Sequence, residues 1–196
     1  MAGFRKLLKG FLAHGTVRWF LELLLILGVL YFALAGMMIL IFRTNSYWMG
    51  VISGSMKHED EGWREYFENG RVREAFLITE GAPVFYQTTY DTKKFPIQGG
   101  FERGDLLIIQ GVSSVAEISV GDVIIIDRRP RNPIALTHRV LGVWQENGKV
   151  RFTTKGDHNP YLIEPDDIVV LPEKIVGKVI FVVPKLGFLS LWSQGK

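Results

Sequence analysis

Gly121-Asp122-Val123-Ile124-Ile125-Ile126 repeats, seventeen residues on, the pattern of Gly104-Asp105-Leu106-Leu107-Ile108-Ile109. In both, a Gly-Asp turn feeds a brief run of branched apolar residues, which reads as a strand rather than as a helix of ordinary length. Working outward, Leu136 to Val143, Val150-Arg151-Phe152-Thr153 and Lys178-Val179-Ile180-Phe181-Val182-Val183 carry the same signal. Gln145 to Lys149, centred on Asn147-Gly148, reads as the hairpin turn between two of them. No long amphipathic helix separates these runs, which argues against parallel βαβ units and for a mostly β, antiparallel domain.

Upstream of the strands the composition changes. Lys57 to Gly100 is rich in acidic and aromatic residues and reads as an inserted subdomain or lid. Within it, Glu65, Glu68, Arg71 and Glu74 suggest a short solvated helix, and Ala82 to Tyr90 an edge strand or loop. At the other end, residues 184–196 include Phe188-Leu189-Ser190-Leu191-Trp192, apolar but too short to span a bilayer. Two roles are open to it, resting on a membrane surface or closing the β core.

Leu23 to Phe42 is an uncharged, apolar run of twenty residues. As a helix rising ~1.5 Å per residue it spans ~30 Å, the thickness of a bilayer's hydrocarbon core. A cleaved secretory signal with Ala33-Leu34-Ala35 as its cleavage site is the alternative, but the apolar run continues seven residues beyond Ala35. Residues 1–18 carry Arg5, Lys6, Lys9 and Arg18 and no acid, whereas only Arg43 closely follows the run. The positive-inside rule therefore makes residues 1–18 a cytoplasmic segment, 19–42 a transmembrane helix and 43–196 an extracytoplasmic domain at the cell membrane. A net charge of +3 with no basic block interleaved with aromatics argues against nucleic acid as a partner. The absence of cysteine excludes disulfides, a thiol nucleophile and thiolate metal sites.

Three polar stretches interrupt the apolar pattern of the extracytoplasmic part. They are Ser53-Gly54-Ser55-Met56, Thr137-His138-Arg139-Val140 and Thr153-Thr154-Lys155-Gly156-Asp157-His158-Asn159. A serine hydroxyl is a weak nucleophile until a base takes its proton, histidine titrates near neutrality, and a carboxylate fixes the imidazole tautomer. The three stretches supply one of each. His58 and His158 are rival bases, and a metal site built from them lacks the spacing of a known helical zinc motif.

Taken in order, the apolar run, Ser53-Gly54-Ser55-Met56, the Gly-Asp strands, His138-Arg139-Val140, Thr154-Lys155-Gly156-Asp157 with Asn159, and Ile175-Val176-Gly177-Lys178-Val179 resemble type I signal peptidase. The likeness is to its archaeal and endoplasmic-reticulum branch, in which histidine replaces the bacterial lysine. It covers the anchor and nearly all of residues 43–187 apart from the insertion. The resemblance implies Ser55 as nucleophile, His138 as general base, and Ser53, with Gly54 and Ile52, at the oxyanion and substrate-binding side. It implies Asp157 as the carboxylate near the site and a second aspartate six residues on, where this chain has Ile163. Glu164, Asp166 and Asp167 follow, and Pro165-Asp166 matches the family's Pro-Asp after a short insertion, so Asp166 is the expected orienter of His138.

The activity so implied is cleavage of signal peptides from exported preproteins, without metal or cofactor. Membrane lipid and the protein-translocation channel are the further partners it implies. A non-catalytic anchored β module, and an enzyme of the same fold using Lys155 as base, are the alternatives.

Overall fold

A computed structural model describes residues 15–58, 62–68, 90–159, 162 and 165–193. It separates the chain into two units, Met1–Ile41 and Phe42–Lys196. The first contains most of helix α1, Gly15–Phe42, none of whose residues is buried. Its 28 residues make it one helix long and apolar enough to cross a membrane.

The second unit is a six-stranded sheet in which every pairing is antiparallel. Its strands are β1 (Trp48–Gly50), β2 (Leu106–Gln110), β3 (Val123–Ile126), β4 (Leu136–Glu146), β5 (Lys149–Lys155) and β6 (Ile175–Val183), in spatial order β1-β2-β6-β3-β4-β5. The expected class, a mostly β antiparallel fold with one apolar N-terminal helix, is the one observed. Val123-Ile124-Ile125-Ile126 is continuously apolar because β3 is covered on both faces. Val123 and Ile125 join one core cluster with Val51, Met56 and Leu107, while Ile124 and Ile126 join another with Leu136, Val140 and Phe152. The Gly-Asp repeat is one turn used twice. Gly104 and Gly121 take φ of 92° and 97°, and the Asp105 and Asp122 carboxylates accept the backbone N–H of Glu102 and Ser119 at 2.9 and 3.0 Å. Only glycine enters that left-handed region without strain. The β4–β5 hairpin turns at Asn147 and Gly148, with φ of 50° and 74°, as a two-residue loop that matches strand twist requires.

One element differs from the sequence expectation. The helix of the insertion, α2 (Gly62–Glu68), is not a solvated one: Trp63 and Phe67, four residues apart on one face, are buried against Tyr90, Phe95, Leu141 and Ile168. The acidic positions had masked this apolar stripe. Arg71, Glu74 and, of the expected edge strand or loop, residues 82–89 lie outside the described residues. At the C-terminal end, Gly187–Ser193 forms a short helix, α3. Leu191 is buried at 2% exposure against Gly50 of β1, whereas Leu189 and Trp192 are 68% and 84% exposed.

Candidate active site

His138 lies in β4, opposite Ile124 of β3. Successive strand residues point to opposite faces, so His138 and Arg139 serve different surroundings. The His138 ring is fully buried, and its Nδ1 stands 2.6 Å from Asp167 Oδ1. Asp167 is equally buried and accepts a second hydrogen bond from the Thr154 hydroxyl, while its backbone carbonyl takes the Thr154 N–H at 2.9 Å. A carboxylate on Nδ1 places the imidazole hydrogen there and leaves Nε2 as the acceptor. Nε2 is buried and has no hydrogen-bond partner among the described residues.

Asp166, the expected orienter, turns the other way. It pairs with Arg128 at 3.1 Å and with Arg131, and the carboxylate on His138 is its neighbour Asp167. Consecutive residues of an extended or turning backbone diverge, so one of the two acids reaches inward and the other meets the arginines. Thr154 pairs with Asp167 by both backbone and side chain, which selects the inward residue.

No hydrogen bond joins the Asp157 carboxylate to His138; His138 bonds Asp167 instead. The Asp157 carboxylate is held by the Arg139 guanidinium, at 2.7 to 3.1 Å, and by His58 Nε2 at 2.8 Å. Burial pushes this carboxyl up, but the Arg139 charge and the His58 and Arg139 hydrogen bonds outweigh burial and hold it below the usual carboxylate range. Arg139 completes its bonding on the carbonyls of Pro96, Ile97 and Gly121. Lys155 is buried, and its ammonium donates to the carbonyls of Gly156 and Asn159 at 2.6 and 2.7 Å. Burial drives it down to about 8, against the pull of Asp157 and Asp167. His158 is exposed.

The serines enter from the segment after β1. Ser53 and Gly54 are exposed, Ile52 and Ser55 half-buried, and Met56 is buried in the core behind them. A turn with Lys57 N–H on Gly54 O, at 3.0 Å, shapes the loop. It meets the loop after β5, where His158 N–H donates to Ser55 O at 2.9 Å. Gly156 is the point of closest approach. A Cβ there would stand 2.7 Å from Ser55 O, 2.8 Å from Asn159 Nδ2 and 2.9 Å from His138 Nε2. Ile52, Ser53, Ser55, His138 and Asn159 share a cleft of about 540 Å³ walled by Trp48 to Val51 on one side and Pro133 to Thr137 on the other. Asn159 and Arg128, which also line it, were not expected as site residues; Asn159 was legible as part of the Gly-Asp motif, and Arg128 carried no signal.

No protein-family model matches the chain. It is 27% identical over 99 residues to the signal peptidase complex catalytic subunit SEC11 of Colletotrichum graminicola, covering 48% of this chain and 57% of that one. The Schizosaccharomyces pombe subunit is 27% identical over 121 residues, covering 49% and 61%. The Lachancea thermotolerans subunit is 33% identical over 108 residues, covering 51% and 62%. The chain has signal peptidase catalytic subunits as relatives. The resemblance read from the motifs is thus one that alignment also finds, over about half of this chain and less than two thirds of each relative.

Proposed function

We infer that this chain is a membrane-anchored serine endopeptidase that removes signal peptides from exported proteins. The observation that carries the reading is a buried imidazole with Nδ1 on a carboxylate and Nε2 unpartnered, in a cleft that also holds Ser53 and Ser55. Similarity to proteins named as signal peptidase catalytic subunits supports the substrate class. Their description as subunits of a complex supports assembly with partners.

In this reading Ser55 Oγ attacks the carbonyl before the scissile bond while His138 Nε2 takes its proton. Asp167 holds the Nδ1–H and stabilises the imidazolium. The carbonyl oxygen, now negative, is met by the Ser55 backbone N–H and the Ser53 hydroxyl. His138 returns the proton to the leaving amine as the C–N bond breaks, leaving an ester on Ser55. Water then gives a proton to His138, attacks the ester and releases the new carboxylate, and Ser55 recovers its proton. Asp157, tied to Arg139 and His58, acts on the scaffold and not on the imidazole. Lys155 fits a structural role, since its ammonium is spent on two backbone carbonyls. In the same reading α1 is the membrane anchor, and the positive-inside rule supports a cytoplasmic basic segment before it and an extracytoplasmic cleft.

The test uses the purified full chain in detergent and a peptide with small residues at its cleavage site. The parent cleaves it; Ser55→Ala and His138→Ala, folded by circular dichroism, do not. Turnover by Ser55→Ala at the parental rate sinks the reading and leaves a non-catalytic anchored β module.

A further inference from the structure

His58 lies three residues after the proposed nucleophile, and its ring has only 5% side-chain exposure. Both ring nitrogens face acceptors: Nδ1 the Gln98 carbonyl at 3.0 Å, and Nε2 the Asp157 carboxylate at 2.8 Å. Both bonds are made together only when each nitrogen carries hydrogen. The ring stacks on Trp63 of α2, with centroids 4.2 Å apart and planes 7° from parallel. The Arg139 guanidinium lies 5.5 Å from the Trp63 ring centroid, and that of Arg64 5.4 Å. Among the described residues, the charged groups around His58 are Asp157 after β5, Arg139 on β4, Arg64 on α2 and the adjoining Lys57, which pairs with Glu102. Gly100, at φ 61°, leaves room for the ring: a Cβ there would stand 2.7 Å from His58 Cγ.

Asp157 sits in the loop that meets both halves of the site. Gly156 before it abuts Ser55 O and His138 Nε2, and His158 after it donates to Ser55 O. The His58–Asp157 bond consequently bridges the serine loop to the loop beside the imidazole. We propose that His58 is a positioning residue that fastens the Ser55 loop to the Gly156–Asn159 loop through Asp157, and that the inserted helix α2 locks it in place through Trp63. The insertion then acts as part of the frame of the site. This inference rests on the reading of Ser55 and His138 as the reacting pair.

The experiment compares the parent with His58→Ala, His58→Gln and Ile118→Ala in the full-length chain in detergent. Glutamine keeps one N–H donor for Asp157, and Ile118 is a buried residue of a core cluster that does not include Met56 or Trp63. His58→Ala is expected to lose about 10²-fold in kcat with KM unchanged, as small misplacement of reacting groups does. His58→Gln should recover most of that loss, and Ile118→Ala should keep the parental kcat despite a lowered Tm. In parallel, the low-field proton resonance of His138 Nδ1–H, identified by its absence in His138→Ala, should move in His58→Ala and stay in Ile118→Ala. Parental kcat and an unmoved resonance in His58→Ala overturn the proposal, as does His58→Gln no better than His58→Ala, or an equal kcat loss in Ile118→Ala. A parent that cleaves nothing defeats the proposed function alone; the resonance still decides the positioning, for it if displaced and against it if not.

Discussion

Asp166 and Asp167 are chemically identical neighbours, yet only Asp167 reaches His138, while Asp166 spends its charge on Arg128 and Arg131. Exchanging the inward acid for its amide keeps the shape and removes the charge that stabilises the imidazolium in the proposed mechanism. Asp167→Asn is expected to lower kcat by roughly 10²- to 10⁴-fold, the range that positioned acid–base catalysis supplies. Asp166→Asn should retain near-parental kcat, and peptide-cleavage kinetics on the two variants separate the assignments. Sequence favoured Asp166: motif spacing pointed to Ile163, the Pro165-Asp166 match then suggested Asp166, and the pairing of Thr154 with Asp167 exists only once the chain is folded. Lys155 gives a second prediction at this scale, in stability. Its folded value of about 8 lies below the ordinary lysine value of 10.5. Between those pH values the unfolded chain holds a proton that the folded chain has released, so unfolding free energy rises with pH across that window. Tyr90 works the other way at higher pH. Burial lifts its phenol from 10.0 to about 12, so above pH 10 the unfolded chain loses a proton that the folded chain keeps, and stability falls. Urea unfolding from pH 7.5 to 10 should show a rise in the parent that Lys155→Met lacks; the same slope in both would refute the assignment.

At the scale of elements, legibility followed burial. The runs beginning at Leu106 and Val123 were readable because strands covered on both faces leave a continuous apolar trace. The three-residue strand β1 was not, since Trp48–Gly50 becomes a strand only by pairing with Leu106–Ile108. Helix α2 was read as solvated because its charges outnumber the two positions that carry its packing, Trp63 and Phe67. Of the site, Ser55 and His138 were legible as motifs, but the Arg139–Asp157–His58 network was not, because its members come from three elements far apart in sequence. Where two of those elements meet, Gly156 gives the sharpest local prediction. A methyl group at this position would lie under 3.0 Å from Ser55 O, Asn159 Nδ2 and His138 Nε2 at once, and the first of these is backbone that cannot swing aside. Gly156→Ala should therefore cost roughly 1–3 kcal/mol of stability, the usual range for overpacking. It should also lose about 10²-fold in kcat through displacement of the two loops. Melting temperature and peptide turnover check the two parts separately, and parental turnover would show that the loops yield without moving the reacting groups.

Among the described residues, the chain joins a helix with no buried residue to a sheet domain whose buried core clusters begin at Val51. Nothing in those cores requires the helix, so a chain beginning at Phe42, which keeps the Gly111 N–H bond to Phe42 O at 2.7 Å, should fold with the parental Tm. What the helix contributes in the proposed function is encounter. A tether and a substrate held in the same bilayer meet at an effective concentration on the order of mM, whereas a free peptide meets the cleft at its bulk concentration with or without a tether. The shortened chain is expected to match the parent in kcat/KM on a short water-soluble peptide and to fall well below it on a preprotein embedded in lipid vesicles. Equal losses on both substrates would mean that the helix supports the site itself. Equal activity on both would mean that membrane attachment plays no part in substrate capture, and the proposed link between the span and the chemistry would have to be abandoned.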